Sequence, residues 1–112
     1  MDQITYQHTE SASGKWAKMP VSLQMGNIGS EVSRALKWQE KGKLPRRDAC
    51  IDRALELFDL SITCNKGPKL KEFCRAREEF CDYFFNNNSL HTDPAKMQRY
   101  YDQFVMLNRK TL

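Results

Sequence analysis

The chain has 112 residues, of which 40% are hydrophobic and 29% charged, and its net charge at neutral pH is +4. This length and composition predict one globular domain with a modest core, and they argue against disorder. The small basic excess is typical of an ordinary solvated surface rather than of a dense nucleic-acid footprint.

No apolar run approaches the roughly 20 residues that a membrane-spanning helix requires. The first ten residues, MDQITYQHTE, lack the charged and then apolar pattern of a signal peptide. We therefore expect a cytoplasmic protein without a membrane partner.

Helical periodicity begins after a polar, aperiodic segment. We interpret residues 1–15 as a flexible N-terminal arm, with the option of a short extra helix, and expect Trp16 and Met19 to tie its end to the rest of the domain. The first long helix should run from Pro20 to about Gln39, because proline is favoured at the first helical position. One side of that helix is an apolar stripe, typical of a core face: Val21, Met25, Ile28, Val32, Ala35 and Leu36.

Three further helices follow at short intervals. The second opens near Pro45 and stops at an Asn-Lys-Gly-Pro signal over residues 65–68. The third spans about residues 69–85, and the fourth begins at Pro94 behind a capping Asp93. Short connections imply antiparallel neighbours, so residues 16–112 are predicted to form an all-α, antiparallel up-down four-helix bundle.

The first helix carries a second organised face, formed by Asn27, Glu31, Arg34 and Trp38. Tryptophan and arginine together are typical of protein interfaces. We therefore interpret this face as a candidate site for a protein partner or a second copy of the chain. In the alternative interpretation, Trp38 folds back over the end of the bundle.

Small residues at helical spacing lie beside this face: Gly26, Gly29, Ser30 and Ser33. Each glycine in a helix interior costs about 1 kcal/mol relative to alanine. That cost predicts a close helix–helix approach, either inside the bundle or between subunits.

Basic residues gather around two connections that an up-down bundle places at opposite ends. The first group comprises Lys37, Lys41, Lys43, Arg46 and Arg47. The second comprises Lys66, Lys69 and Lys71, joined by Lys15, Lys18, Arg109 and Lys110. They form no continuous stripe, but phosphate attraction needs no motif. Nucleic-acid binding through Lys41, Lys43, Arg46 and Arg47 is therefore the alternative function.

Two acidic pairs are similar to those of all-helical nucleotide pyrophosphohydrolases: Glu56-x-x-Asp59 and Glu79-x-x-Asp82. Those enzymes hold magnesium with carboxylates that converge inside the bundle. Helical phase places all four carboxylates away from the apolar stripes, so we expect a solvated face and no catalytic residues. A metal-dependent hydrolase is the third hypothesis.

Cysteine spacing also argues against a metal. The four cysteines form no CxxC pair, and zinc ligands are usually closely paired. We expect no metal and no cofactor, and reduced thiols that are mostly buried: Cys50, Cys64, Cys74 and Cys81.

Arg77 falls by phase within the apolar stripe of the third predicted helix. A buried arginine must be paired, or its head group must reach solvent. It is either an edge residue that pairs with a carboxylate or a charged group that meets an anionic ligand.

The segment MPVSLQMGNIGSEVSRALKWQEKGK, followed by RALELFDLSI and CDYFF, resembles a family of small, uncharacterised, all-helical bacterial proteins. The resemblance covers about residues 16–105 and implies a helical bundle in a prokaryotic cytoplasm, with no activity to transfer. Size and layout are more loosely similar to ribosomal and retroelement-accessory four-helix bundles, which form oligomers and meet RNA or a reverse transcriptase. The leading hypothesis is a non-enzymatic bundle that oligomerises or binds a protein partner.

Overall fold

The computed structural model describes residues 10–110 and confirms the all-helical class. Its five helices are α1 (Glu10–Lys18), α2 (Val21–Glu40), α3 (Leu44–Cys64), α4 (Gly67–Phe85) and α5 (Pro94–Lys110). The four long helices begin and end within two residues of the predicted positions. The optional N-terminal helix is present as α1, and it begins inside the segment that was predicted to be an arm. Residues 1–9 of that segment lie outside the described residues.

Local sequence explains where the helices begin and end. Gly42, with φ of +71°, takes the left-handed conformation that closes α2, and its amide donates to the carbonyl of Gln39 at 3.0 Å. The predicted cap of α5 is confirmed, because the Asp93 carboxylate accepts the amide of Ala95 at 2.9 Å.

Hydrogen bonds between side chains show that α2 and α3 run antiparallel. At one end Asn65, just after α3, donates to the side-chain oxygen of Gln24 in the first turn of α2 at 2.9 Å. At the other end Arg47, near the start of α3, donates to the side-chain oxygen of Gln39 at 2.9 Å. The short connection over residues 41–43 therefore reverses the chain.

The core draws side chains from all five helices. The predicted stripe of α2 is confirmed at Met25, Ile28, Val32 and Ala35, which are fully buried, while Val21 and Leu36 are partly exposed at its margin. Phe58 of α3 and Phe80 of α4 meet with ring centroids 5.5 Å apart. The other buried apolar side chains are Trp16, Cys50, Ile51, Ala54, Leu57, Leu60, Phe73, Ala76, Met97 and Tyr101.

A buried polar network fastens α1 to the domain, as expected for Trp16 and Met19. The indole N–H of Trp16 donates to the hydroxyl of Ser61 at 2.8 Å. The amide of Gln24 donates to the carbonyl oxygens of Trp16 and Met19 at 3.1 and 3.0 Å. Because these buried polar groups have partners, they hold α1 in place without a large desolvation cost.

The predicted close approach at the small residues is made by α5 inside the molecule. A Cβ added at Gly29 would lie 2.5 Å from the Cβ of Tyr101, a fully buried side chain. One added at Gly26 would lie 3.0 Å from the terminal amide nitrogen of Asn108. The two glycines therefore differ in their surroundings. Gly29 faces the Cβ of Tyr101, which is fixed next to the backbone, whereas Gly26 faces the end of the flexible Asn108 side chain.

We predict that Gly29→Ala destabilises the protein by about 1–2 kcal/mol. Over-packing costs about 1–3 kcal/mol, and the better helix propensity of alanine offsets up to about 1 kcal/mol of that. Gly26→Ala is the matched control and should cost less than Gly29→Ala, because only the end of the Asn108 side chain, which donates to the carbonyl of Ser22 at 3.1 Å, has to adjust. Urea unfolding followed by circular dichroism at 222 nm gives both values. Equal effects of the two variants would contradict the close-packing role of Gly29.

Candidate nucleic-acid interface

Trp38, in the last turns of α2, is partly buried against the core and lies beside two cations. The guanidinium carbon of Arg46 is 4.8 Å from the centroid of the indole ring, and the ammonium nitrogen of Lys41 is 5.5 Å from it. Such contacts contribute about 0.5–2 kcal/mol each and restrict the long cationic side chains. This arrangement agrees with the alternative interpretation of Trp38, in which it packs at the end of the helices.

Trp38, which was predicted to belong to a protein-binding face, therefore lies beside Lys41 and Arg46, which were predicted as nucleic-acid candidates. We call the cluster of Lys37, Trp38, Lys41, Lys43 and Arg46 the basic corner. Lys37 joins it because residues i and i+4 of a helix are neighbours, which places it next to Lys41. All four cations are exposed, and none of them takes part in an ion pair among the described residues.

Arg47 was predicted with this group, but its guanidinium is occupied. It contacts the carboxylate of Asp48 at 3.0 Å and donates to Gln39 at 2.9 Å, and its side chain is only 24% exposed. Gln39 in turn donates to the hydroxyl of Tyr83 at 3.4 Å, which links the corner to the end of α4. Arg47 is therefore held by Asp48 and Gln39, and its charge is not available to an anion.

The net charge of the molecule is concentrated at this corner. Residues 37–48 contain five basic and two acidic side chains, so they carry +3 of the +4 of the whole chain. Because positive charges outnumber negative ones here, the corner attracts anions over about a Debye length, near 8 Å at physiological ionic strength.

The predicted four-residue face on α2 is divided by the structure. Asn27, Glu31 and Arg34 line a separate groove with the end of α1 and with α3, which we call the α2 groove. The carboxylate of Glu31 lies 3.3 Å from the guanidinium of Arg34 and 3.3 Å from that of Arg53. Arg53 comes from α3, so helical phase on α2 alone could not find it.

Arg77 lies at the edge of α4 and pairs with a carboxylate, as in the first of its two interpretations, although helical phase had placed it within the apolar stripe. The buried positions of α4 are Phe73, Ala76, Phe80 and Asp82, and Arg77 contacts the carboxylate of Asp59 at 3.2 Å. The two side chains are 38% and 46% exposed. An ion pair this exposed contributes at most about 1 kcal/mol.

The expectation that all four paired carboxylates face solvent is wrong for Asp82. Its carboxylate is buried and accepts hydrogen bonds from the hydroxyl of Ser89, the amide of Leu90 at 2.9 Å and the side chain of Asn86 at 3.0 Å. The donors that follow α4 fold back over the helix end, which a helical projection cannot show. The hydrogen bonds from Ser89 and then Leu90 lower the pKa of the Asp82 carboxyl.

The remaining acidic residues do not gather into a metal site. Glu56 and Glu79 are partly buried, and Glu79 accepts a hydrogen bond from the hydroxyl of Thr92 at 3.4 Å. Across residues 10–110, no three histidine, cysteine or acidic side chains are arranged to hold a metal ion.

The prediction that most cysteines are buried is also wrong. Only Cys50 is fully buried; Cys81 is half-buried, and Cys64 and Cys74 are exposed. All four are free thiols, and burial raises the pKa of Cys50 and Cys81. Cys64 is exposed because it is the last residue of α3, and Cys74 because it lies on the outer side of α4.

The chain matches no family model, no curated protein and no solved structure. In the part of the chain that the structure describes, no helix is both long enough and apolar enough to cross a bilayer.

We predict that the contribution of Asp82 to stability is lost in acid. Its folded-state pKa lies below the unfolded value of about 3.9, so the stabilisation is complete above that value and falls as the pH drops through the folded pKa. The difference in unfolding free energy between wild type and Asp82→Asn should be constant from about pH 7 to 5 and should narrow below about pH 4.

Asp52→Asn is the control, since Asp52 is an exposed carboxylate on α3 without an ion pair among the described residues. Urea unfolding at a series of pH values measures both differences. A difference for Asp82→Asn that stays unchanged down to pH 3 would show that its charge does not hold the segment after α4.

Proposed function

We propose that this protein is a non-enzymatic helical module that binds nucleic acid through the basic corner. In this proposal α2 to α5 act as an antiparallel up-down four-helix bundle, a rigid frame that presents the corner at one end. The cytoplasmic location expected from the sequence would give the corner access to nucleic acid. The observation that carries the proposal is the position of Arg46 and Lys41 over the Trp38 ring, with no ion pair to a carboxylate among the described residues.

Stacking leaves the cations available for phosphate. A guanidinium that lies over an aromatic ring uses its face, so the N–H groups along its edge can still donate to phosphate oxygens. Because Trp38 already restricts Arg46 and Lys41, less side-chain entropy is lost when an anion binds. The corner is thus partly organised for a polyanion before binding.

The same geometry favours nucleic acid over a protein at this corner. A protein interface needs a buried apolar centre. Here Leu44, the first residue of α3, is the one exposed large aliphatic side chain within residues 37–48, at 45% exposure, and cations already lie beside the Trp38 ring. Phosphate recognition, in contrast, requires only unneutralised charge and no sequence motif.

We predict that the protein binds a mixed-sequence single-stranded RNA of 20 nucleotides, with an affinity that falls steeply with salt. Each phosphate contact contributes about −0.7 to the slope of log K against log salt, so four cations predict a slope of about −3. Lys41→Ala combined with Arg46→Ala should weaken binding at least tenfold at low salt and reduce the magnitude of the slope by about 1.4. Fluorescence anisotropy of labelled RNA measures both quantities.

Lys69→Ala combined with Lys71→Ala is the matched control. It removes the same charge from the first turns of α4, which antiparallel packing places at the opposite end of the molecule. RNA affinity should change less than twofold in this control. Equal losses in the two double variants would show a general charge effect, and wild type that does not bind, or binds independently of salt, would refute the proposal.

A further inference from the structure

The α2 groove is a second surface with the features of a binding site, on a different part of α2 from the basic corner. It lies where the end of α1 meets the outer face of α2 and the middle of α3, and its volume is about 380 Å³. Ligand sites in proteins have volumes of about 300–1,000 Å³, so the groove has room for one or two side chains of a partner rather than for a whole helix.

The floor of the groove is apolar. It is formed by Trp16, Met19 and Leu57, and the polar N–H of the indole points elsewhere because it donates to Ser61. Asn27 beside the floor makes only a long contact of 3.9 Å to the sulfur of Met19, so its amide can still bond a partner's backbone. The floor therefore favours an apolar side chain.

The rim of the groove is positively charged. Arg34 is 57% exposed, and Lys15 is exposed and takes part in no ion pair among the described residues. The acidic group there, Glu31, already lies between two guanidiniums and is only 13% exposed. Its charge is neutralised within the molecule, so the rim repels cations and attracts carboxylates.

We propose that the α2 groove binds a short segment of a protein partner that carries an apolar side chain next to one or more carboxylates. The apolar side chain occupies the floor over Met19 and Leu57, and the carboxylate pairs with Arg34, whose planar head suits a two-point contact. A nucleic acid fits this groove less well, since its charge lies along a continuous backbone and the floor offers apolar surface to one inserted side chain.

A random heptapeptide library displayed on phage, panned against the immobilised full-length chain, tests the proposal without a known partner. The enriched sequences should contain aspartate or glutamate next to leucine, phenylalanine or another large apolar residue. Enrichment of basic sequences, or no enrichment, would overturn the proposal.

The most enriched peptide is then synthesised and titrated into the Trp38→Phe variant. The chain has two tryptophans, so the remaining emission comes from Trp16 in the floor of the groove. Binding in the groove should shift the Trp16 emission maximum, and an unchanged emission during saturable binding would place the peptide elsewhere.

Reversing the charge of Lys15 and removing that of Arg34 identifies the rim residues. Lys15→Glu and Arg34→Gln should each weaken the peptide at least tenfold, as measured by fluorescence anisotropy, while circular dichroism at 222 nm confirms that the variants are folded. Arg99→Glu is the control, because Arg99 is exposed on α5 and does not line the groove. Affinities that fall equally in all three variants would overturn the assignment to the groove.

This inference stands apart from the nucleic-acid proposal. The double variant Lys41→Ala and Arg46→Ala should lose RNA and keep the peptide, and Arg34→Gln should lose the peptide and keep RNA within twofold. If both variants lose both ligands together, the groove is not a separate site, and this inference is wrong.

Discussion

Close packing of Tyr101 against the backbone of α2 at Gly29 is the contact on which the arrangement of this protein depends. Because there is no side chain at Gly29, α5 approaches α2 closely on one side, while α3 packs along the other. Two sides of α2 are therefore used inside the molecule. What remains of its surface is an outer strip with Asn27, Glu31 and Arg34, and an end with Trp38. The α2 groove lies on this outer strip, and the basic corner lies at this end of α2.

The state of each arginine separates structural from available charge. Arg47, Arg75 and Arg77 each contact a carboxylate on their own or a neighbouring helix, while Arg34 and Arg53 share the single carboxylate of Glu31 and so retain an excess of positive charge. Arg46 instead lies over an aromatic ring, which holds its position and leaves its charge unneutralised. Arg46 and Arg47 are adjacent, yet only the charge of Arg47 is neutralised. The two differ because they lie on different sides of the first turn of α3.

Much of the fold could be predicted from the sequence because its signals are local. Proline at the start of a helix, glycine at its end and Asp93 as a cap depend on a few neighbouring residues, and the helix bounds follow from them. The apolar stripe of α2 was likewise predicted, because a helix that packs on two sides buries a regular set of positions.

Three differences from the prediction share one physical cause, which is contact with residues outside the helix on which the prediction was made. Asp82 is buried by the chain that follows its own helix, and Glu31 is held by Arg53 from the next helix. Arg77 contacts Asp59, which comes from the preceding helix α3. A helical projection treats each helix as isolated, so it ranks positions by angle and cannot include a neighbour that covers or pairs with them.

The two candidate sites share α2, and this fixes how their ligands would influence each other. Arg34 and Trp38 are four residues apart, which is about 6 Å along a helix that rises 1.5 Å per residue. That distance is below the Debye length of about 8 Å at physiological ionic strength, so a polyanion at the corner lowers the positive potential at the nearer rim of the groove. Lys15 lies on α1 at the far side of the groove and is screened more strongly. Two anionic ligands would therefore oppose each other modestly through Arg34, and the opposition would weaken as salt rises, because salt screens the interaction between exposed charges.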